Sequence, residues 1–344
     1  MPGPIMPKTA AGAASIFGKR SRKKIRNTQE PKRGSGPFFM SEKKPEIKIV
    51  STLKKCEKLW HEFSPKRTLF DTWEFRLAFQ KAYKFKPYFM VLKKAAQNVA
   101  LLPLCYDQED KRYIWFGTNW QEEVDFFADS PESVKILLEA SPKPLILDAL
   151  SPSAIALDKK IEGLGEDDPK YILDLPGFFH HEDYLKGIKK NDRRNMRKDR
   201  NRIEKMRPKI EINKFSDLKH LIKLSEERFA KKGEDTDWED PRRVRAFKNV
   251  IRLSGKSYQA RMISIRVGKK VAGVDLVCLY NGCYFAVKCG YDCARFSGIG
   301  NFMNLFEIDD AIKLGMHRVD FLQSSYQWKN KFFTSLPLFK IHKI

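Results

Sequence analysis

The chain has 344 residues, 42% of them apolar and 12% aromatic, and its formal charge is +23 at pH 7. This length and apolar content predict a globular protein of two domains with buried cores. No apolar run approaches the roughly 20 residues of a membrane-spanning helix, and the N-terminus lacks the apolar segment of a signal peptide, so we predict a cytoplasmic protein.

The positive charge is spread unevenly. The first 39 residues hold nine Lys or Arg against Glu30, and residues 1–45 are rich in Pro, Gly, Ala and Ser without an apolar period. This composition predicts a basic disordered tail. The remaining chain is still strongly basic, so we expect an anionic partner: CoA, nucleic acid, an acidic substrate or a membrane surface.

Strands and helices alternate along the first half. The predicted elements are a strand at Ile47–Val50, helices through Trp60 and around Phe70–Tyr83, strands at Pro87–Leu92, Val99–Cys105 and Arg112–Phe116, helices near Gln121–Ala128 and Ser130–Ala140, a strand at Pro144–Leu147, and a helix near Ser151–Ile161. These assignments follow apolar periodicity and turn residues.

A strand at Tyr171–Leu175 leads into one long predicted helix, His181–Arg207. This helix carries eleven Lys or Arg against five acids. Its basic surface, from Lys186 to Arg207, is typical either of a grip on phosphates or RNA or of a solvated face with i,i+4 ion pairs.

The second half repeats the pattern with a strand at Lys209–Asn213, helices at Ser216–Ala230 and Pro241–Leu253, and three strands. Asn281-Gly282 predicts a two-residue hairpin turn that pairs Tyr280 with Cys283. In that register Asp275 faces Lys288, which favours an ion pair over a general base. Three cysteines, Cys278, Cys283 and Cys289, then lie on an apolar face, which favours core thiols over a metal site.

The order strand, helix, helix, strand, strand, strand occurs from Ile47 to Phe116 and again from Lys209 to Cys289. Such repetition predicts a duplicated domain. We place the first half at residues 46–165 and the second at residues 166–344. Only the second half has Arg-x-x-Gly-x-Gly after its last strand, so only that half is expected to bind phosphates.

The stretch Arg295–Gly300, called the glycine turn below, lies between that strand and a helix predicted over Asn301–Leu314. Glycines let a ligand approach the backbone closely, and free N–H groups at a helix start attract phosphate oxygens. An ordinary tight turn is the alternative reading.

In this context the motif resembles the pyrophosphate-binding motif of the GNAT acyltransferases, and two such halves in tandem resemble the FemAB/CelD type. Asp320-Phe321 followed by Trp328-Lys329 is similar to that family's Asp-Phe, Gly, Tyr-Lys pattern, with Ser324 and Trp328 departing from it. The implied fold is α/β (α+β): tandem GNAT-like domains, each a mixed, mainly antiparallel twisted sheet flanked by helices.

The resemblance implies acetyl-CoA or another acyl-CoA as co-substrate and an amine acceptor that attacks the thioester directly. The residues implied to bind the cofactor are Lys288, Cys289, Gly290, Arg295, Phe296, Ser297, Gly298, Ile299, Gly300, Asn301 and Lys329. The candidates for proton transfer are Asp292, Asp275, Asp320, His181 and Tyr326. No metal is expected.

Two other functions stay open. In an aminoacyl-tRNA-dependent transferase of the FemAB kind, the basic helix would serve RNA instead of CoA. A non-catalytic binding protein on this fold would be consistent with Ser324 and Trp328. The identity of the acceptor does not follow from the sequence, because acceptor pockets in this fold lie in variable helices and between the halves.

Overall fold

A computed structural model describes residues 45–344 except 119, 156–160 and 325. The tail predicted over residues 1–45 therefore lies outside the described part, apart from Pro45. Residues 156–160 of the helix predicted near Ser151–Ile161 are outside it as well.

The first half, counted up to Asp174 and so past the boundary predicted at residue 165, supplies seven strands and four α-helices. In chain order these are β1 (Glu46–Val50), α1 (Leu53–Phe63), α2 (Trp73–Tyr83), β2 (Lys86–Lys94), β3 (Gln97–Asp107), β4 (Arg112–Trp115), β5 (Phe127–Ala128), α3 (Pro131–Glu139), β6 (Leu145–Leu150), α4 (Pro152–Ile155) and β7 (Leu164–Asp174). A 3-10 helix, Leu69–Asp71, precedes α2.

The second half follows the same plan. Its elements are α5 (His181–Lys186), α6 (Lys190–Lys205), β8 (Lys209–Ile212), α7 (Leu218–Ala230), α8 (Pro241–Leu253), β9 (Gln259–Val267), β10 (Lys270–Tyr280), β11 (Cys283–Tyr291), α9 (Ile299–Lys313), β12 (Arg318–Gln323), α10 (Gln327–Phe332) and β13 (Thr334–Lys343). Short 3-10 helices precede α7 and α8, at Phe215–Asp217 and Asp237–Glu239.

The described strands form one sheet in the order β1-β2-β3-β4-β6-β13-β7-β12-β11-β10-β9-β8, with β5 paired to β3. Within each half four strands run antiparallel, and the fifth adds in parallel, β6 beside β4 and β12 beside β11. This match confirms the predicted duplication. The last strand of each half pairs with the other half: β7 pairs with β12 of the second half, and β13 pairs with β6 of the first half.

Helices α2 and α8 bring the two halves together on one side of the sheet. The Phe79 and Phe247 rings meet edge to face at 5.6 Å, and Asn249 donates a hydrogen bond to the Ala78 carbonyl at 3.0 Å. The apolar core around them also contains Phe70 and Phe285. Helices α6 and α9 cover a second core on the opposite face of β10 and β11.

Two predicted helices are wrong. The segment predicted as a helix near Gln121–Ala128 lies along the sheet, since Val124 exchanges backbone hydrogen bonds with Ala149 and Ser151 and its end forms β5. The long helix His181–Arg207 is divided into α5 and α6, because Gly187 ends the first with 3-10-type hydrogen bonds. Pairing with neighbouring strands and the low helix propensity of glycine override the local pattern.

The predicted hairpin turn is confirmed, and the predicted strand register is confirmed for the half that is nearer the turn. Asn281 and Gly282 both have positive φ, and Tyr280, Cys278 and Val277 face their predicted partners. A β-bulge at Leu276/Val277 then shifts the pairing by one residue, so Asp275 faces Cys289 instead of Lys288. Bulges re-aim side chains, and this one changes the surroundings of Asp275.

Candidate active site

A gap opens between the two central strands of the second half. Strands β11 and β12 are paired only at Cys283, Tyr284 and Phe285, although β11 continues to Tyr291 and β12 to Gln323. A cavity of about 590 Å³ lies in this gap. Its walls include the later residues of both strands and parts of α7, α9 and α10, so the free edge of β11 is directed into it.

The glycine turn reaches this cavity at its last residue, Gly300. Gly298 has φ +89° and is the N-cap of α9, a conformation that favours glycine. Among the described residues, no acceptor is placed against the N–H groups of Ser297, Gly298, Gly300 or Asn301. Gly300 and Asn301 line the cavity, so its wall includes the N-terminal, positive end of a helix.

Helix α6 packs over the outside of the glycine turn. Asp199 accepts a hydrogen bond from the side-chain amide of Asn301 at 2.7 Å. Arg202 donates hydrogen bonds to the Ser297 carbonyl and hydroxyl at 3.1 and 2.9 Å. A Cβ on Gly298 would lie 2.6 Å from Asp199 Cβ. Glycine is therefore required here for conformation and also for close packing.

The predicted site residues divide into two groups. Those that line the cavity are Asp275, Lys288, Cys289, Gly300, Asn301, Tyr326 and Lys329. Those outside its lining are His181, Gly290, Asp292, Arg295, Phe296, Ser297, Gly298, Ile299 and Asp320.

Three members of the second group, Gly290, Asp292 and Arg295, make structural contacts. A Cβ on Gly290 would lie 2.2 Å from the Leu221 carbonyl oxygen, so this glycine lets α7 approach β11. The Asp292 carboxylate accepts hydrogen bonds from the Arg295 side chain and, at 3.2 Å, from its backbone N–H. Arg295 is thus held by an acid, with its side chain half exposed beside the turn.

Asp275 is buried at the floor of the cavity, with 1% of its surface exposed. Its Oδ2 accepts a hydrogen bond from the Tyr291 hydroxyl at 2.9 Å. The predicted ion pair with Lys288 is wrong, since the bulge moves that lysine away. Burial raises the pKa of Asp275 to about 7, with hydrogen bonds from Tyr291 and Glu307 acting in the other direction.

Lys288 instead ion-pairs with Asp237, at 2.7 Å. Its ammonium lies 5.1, 5.2 and 5.5 Å from the ring centres of Trp120, Trp238 and Phe247. Burial lowers the pKa of Lys288 in spite of its acidic partner. Aromatic faces and one carboxylate therefore hold this cation at the cavity wall.

Lys329 turns its ammonium toward the end of β12. It donates hydrogen bonds to the carbonyls of Phe321, Leu322 and Gln323, at 2.7, 3.3 and 3.0 Å. Leu322 has a positive φ, 61°, which turns its carbonyl out of the strand pattern. Lys329 thus stabilises the point at which β12 leaves β11, and burial lowers its pKa.

Tyr326 lies at the opening of the cavity with 39% of its surface exposed. Lys232 and Lys329 lie 5.9 and 5.7 Å from its ring centre. Partial burial raises the pKa of its hydroxyl. A tyrosine of this kind stays neutral at pH 7 and is able to donate a hydrogen bond.

Asp320 and His181 belong to other networks. Asp320 forms a buried ion pair with Lys170, which also pairs with Glu123 of the first half. His181 contacts Asp309 through Nδ1 at 2.7 Å. His180, His181 and Asp309 have side-chain atoms close enough for a shared cation, but Arg200 lies 3.5 Å from the Asp309 carboxylate and supplies the positive charge there.

Several cavity residues were missed by the sequence reasoning: Glu122, Arg228, Asn304 and Glu307. For Glu307 a signal was available, since it stands four residues after Met303 and four before Ala311 on the buried stripe of α9. An acid on such a stripe is rarely solvated. Glu122 comes from the first half, and burial raises its pKa to about 7.

The exposed surface of α6 forms a separate, strongly basic groove. Its residues are Lys190, Arg193, Arg194, Arg197, Lys198, Asn201, Arg202 and Lys205. Arg197 pairs with Glu182, and Arg202 with Asp199. The groove keeps more cations than acids, so it is a favourable surface for a polyanion.

Comparisons with known proteins match part of this chain to a family. Residues 190–330 match the family described as "Acetyltransferase (GNAT) domain". No curated protein matches the chain. In the part of the chain that the structure describes, no helix is both long and apolar enough to cross a membrane.

Three solved structures share the fold at low identity. The crystal structure of FemX has a TM-score of 0.57 at 11% identity and covers 87% of this chain and 97% of its own. L-PGS from Bacillus licheniformis has a TM-score of 0.55 at 11% identity, with 85% and 92% covered. A conserved protein of unknown function from Bacteroides thetaiotaomicron has 0.56 at 12%, with 87% and 100% covered. Residues 190–330 therefore resemble a GNAT acetyltransferase domain, and the chain shares the fold of FemX and L-PGS.

Proposed function

We propose that this protein is an N-acyltransferase that moves an acyl group, with acetyl as the first choice, from acyl-CoA to an amine. The observation that carries the proposal is the cavity in the gap between β11 and β12, which meets the N-terminus of α9 at Gly300 and Asn301. One end of it suits a pyrophosphate and the other a thioester.

The donor would be held mainly by backbone groups. The N–H groups of the glycine turn would bind the pyrophosphate oxygens, and Arg202 and Arg295 would add positive charge nearby. Beyond Phe285, the edge of β11 facing the gap lacks β12 as a partner, so its N–H groups are placed to polarise a thioester carbonyl.

The acceptor would enter from the side formed by α7 and the 3-10 helix before α8. That wall carries Phe229, Asp235 and Asp237, and Glu122 faces it from the first half. Among the described residues, Asp235 has no hydrogen-bonding or ionic partner, and it is exposed. Asp237 is already paired with Lys288, so Asp235 is the acid placed to meet an acceptor that arrives as an ammonium ion.

A transfer assay tests the proposal. The full-length protein is mixed with acetyl-CoA and, separately, with glucosamine, an aminoglycoside and a lysine-containing peptide. We expect enzyme-dependent release of free thiol with at least one amine, and a product heavier by one acetyl group in mass spectrometry. Absence of thiol release with all three amines would contradict acetyl transfer to amines of these classes.

Aminoacyl transfer from tRNA is the second candidate, and the basic groove of α6 is the observation that favours it. RNA bound there would dissociate as salt is raised, because each neutralised phosphate releases a counterion. Tight tRNA binding that weakens steeply between 50 and 200 mM salt, together with failure of the acetyl-transfer assay, would replace the first candidate by this one.

A further inference from the structure

Two acids face each other across the floor of the cavity, Asp275 from β10 and Glu307 from α9. They are 1% and 2% exposed, and both line the cavity. If both were ionised, Asp275 Oδ1 and Glu307 Oε1 would be buried without a partner. One proton between them removes the conflict, because the two side chains lie within hydrogen-bonding reach of each other.

The surroundings determine which acid keeps the proton. The other titratable or charged groups that act on the pair are Tyr284, Cys289 and Tyr291 of β11, Asp310 of α9 and Arg228 of α7. Asp275 receives the Tyr291 hydrogen bond and the favourable charge of Arg228. Glu307 receives neither and has Asp310 as a further acid nearby, so it is the member that stays protonated.

We propose that Asp275 is the proton acceptor of the transfer reaction and that Glu307, as a neutral acid, is the positioning residue that holds Asp275 ready by donating a hydrogen bond to it. This inference rests on the proposed function and adds a residue to its site. Glu307 does not touch the substrate's reacting atoms in this role.

The step balances without another reactant. The acceptor ammonium first loses one proton to solvent, and the neutral amine nitrogen then attacks the thioester carbon. A C–N bond forms, and the nitrogen gives a second proton to the Asp275 carboxylate. The C–S bond then breaks, and the leaving thiolate takes that proton to become the free thiol of CoA. Asp275 returns to the carboxylate, and Glu307 keeps its proton throughout.

Three variants separate the two roles, with acetyl-CoA and the best acceptor of the three-amine panel as probes. Asp275→Asn should lower kcat by about 10²- to 10⁴-fold, the usual contribution of a positioned base. Glu307→Met removes the hydrogen bond that lowers the pKa of Asp275, so the acid limb of the kcat–pH profile should move to higher pH. Glu307→Gln still donates a hydrogen bond, so the acid limb of its kcat–pH profile should stay at the wild-type pH.

All three variants should keep the wild-type KM for acetyl-CoA, which distinguishes loss of proton transfer from loss of the donor site. An unchanged limb in Glu307→Met, or a kcat in Asp275→Asn within threefold of wild type, would overturn the inference while wild-type turnover still supports the proposed function. Failure of the wild type with every amine would overturn both.

A second measurement does not depend on turnover. The pKa of Asp275 is raised from that of an ordinary carboxyl, about 4, to about 7 in the folded protein. As far as Asp275 contributes, the folded state therefore has its full stability below pH about 4. It loses stability as the pH rises through about 7, because the buried carboxyl must then ionise. Denaturation at several pH values should show this loss in wild type and a smaller one in Asp275→Asn. Equal pH dependence in both would overturn the assignment of the shared proton.

Discussion

Replacing Gly300 by Glu is expected to abolish acetyl-CoA binding while leaving the fold intact. A Cβ at this position meets only the Tyr291 ring, at 3.7 and 3.8 Å, so the backbone does not resist a side chain. The added carboxylate would lie at the start of α9, where the helix itself favours a negative charge. It would occupy the place of the pyrophosphate and repel it.

We expect the affinity for acetyl-CoA, measured by calorimetry, to fall at least a hundredfold, because a lost charge-assisted hydrogen bond alone costs about 1.5–3 kcal/mol. Gly300→Ala is the matched control, since its methyl group fits in ordinary contact with Tyr291. That variant should bind within a few fold of wild type. Equal affinity of Gly300→Glu and wild type would refute the pyrophosphate site.

Replacing Lys170 by Met is expected to destabilise the whole protein by about 3–5 kcal/mol, the range for a buried ion pair that loses one member. Lys170 is 2% exposed and pairs with Asp320 of β12 and Glu123 of the first half. Without its ammonium, Asp320 is left buried with one backbone hydrogen bond, from Leu322.

Chemical denaturation measures this loss. The double variant Lys170→Met/Asp320→Asn should recover part of it, since no unpaired carboxylate then remains at Asp320. Lys331→Met is the control: that lysine is 59% exposed and pairs with Asp192 at 3.1 Å, so about 0–1 kcal/mol is expected. If Lys170→Met lost as little free energy of unfolding as the control, the Lys170–Asp320 ion pair would not be needed to join the halves.

The sequence was sufficient for the repeated element order because local signals define it. Asn281-Gly282 fixes a hairpin, and apolar alternation places Val274, Leu276 and Cys278 on one face. The glycine turn was likewise visible, since two glycines directly before an apolar helical pattern are a local signal. These features depend on residues close together in the chain.

Features that depend on distant residues were missed. The bulge at Leu276/Val277 changes the partner of Asp275, and nothing in the local alternation marks it. The exchange of β7 and β13 between the halves requires pairing across more than a hundred residues. Glu307 and Asp275 meet only after α9 has packed on β10, so a sequence pattern identifies each acid but not the pair.

The roles of Lys170 and Lys288 show the same limit. Each was a single basic residue in a basic chain, and only the packed structure supplies their acids, Asp320 with Glu123 for one and Asp237 for the other. Tertiary contacts between the halves decide these pairs, while the predicted assignment of Lys288 to cofactor binding stays a prediction.

Thermal melting of the full-length protein with acetyl-CoA tests the acyl-CoA proposal most directly. At a concentration about a hundred times the dissociation constant, a ligand that binds only the folded state adds about 2.7 kcal/mol to its stability and raises the melting temperature visibly. We predict such a rise with acetyl-CoA for wild type and none for Gly300→Glu. No rise with acetyl-CoA, together with a salt-sensitive rise with aminoacyl-tRNA, would contradict the acyl-CoA proposal.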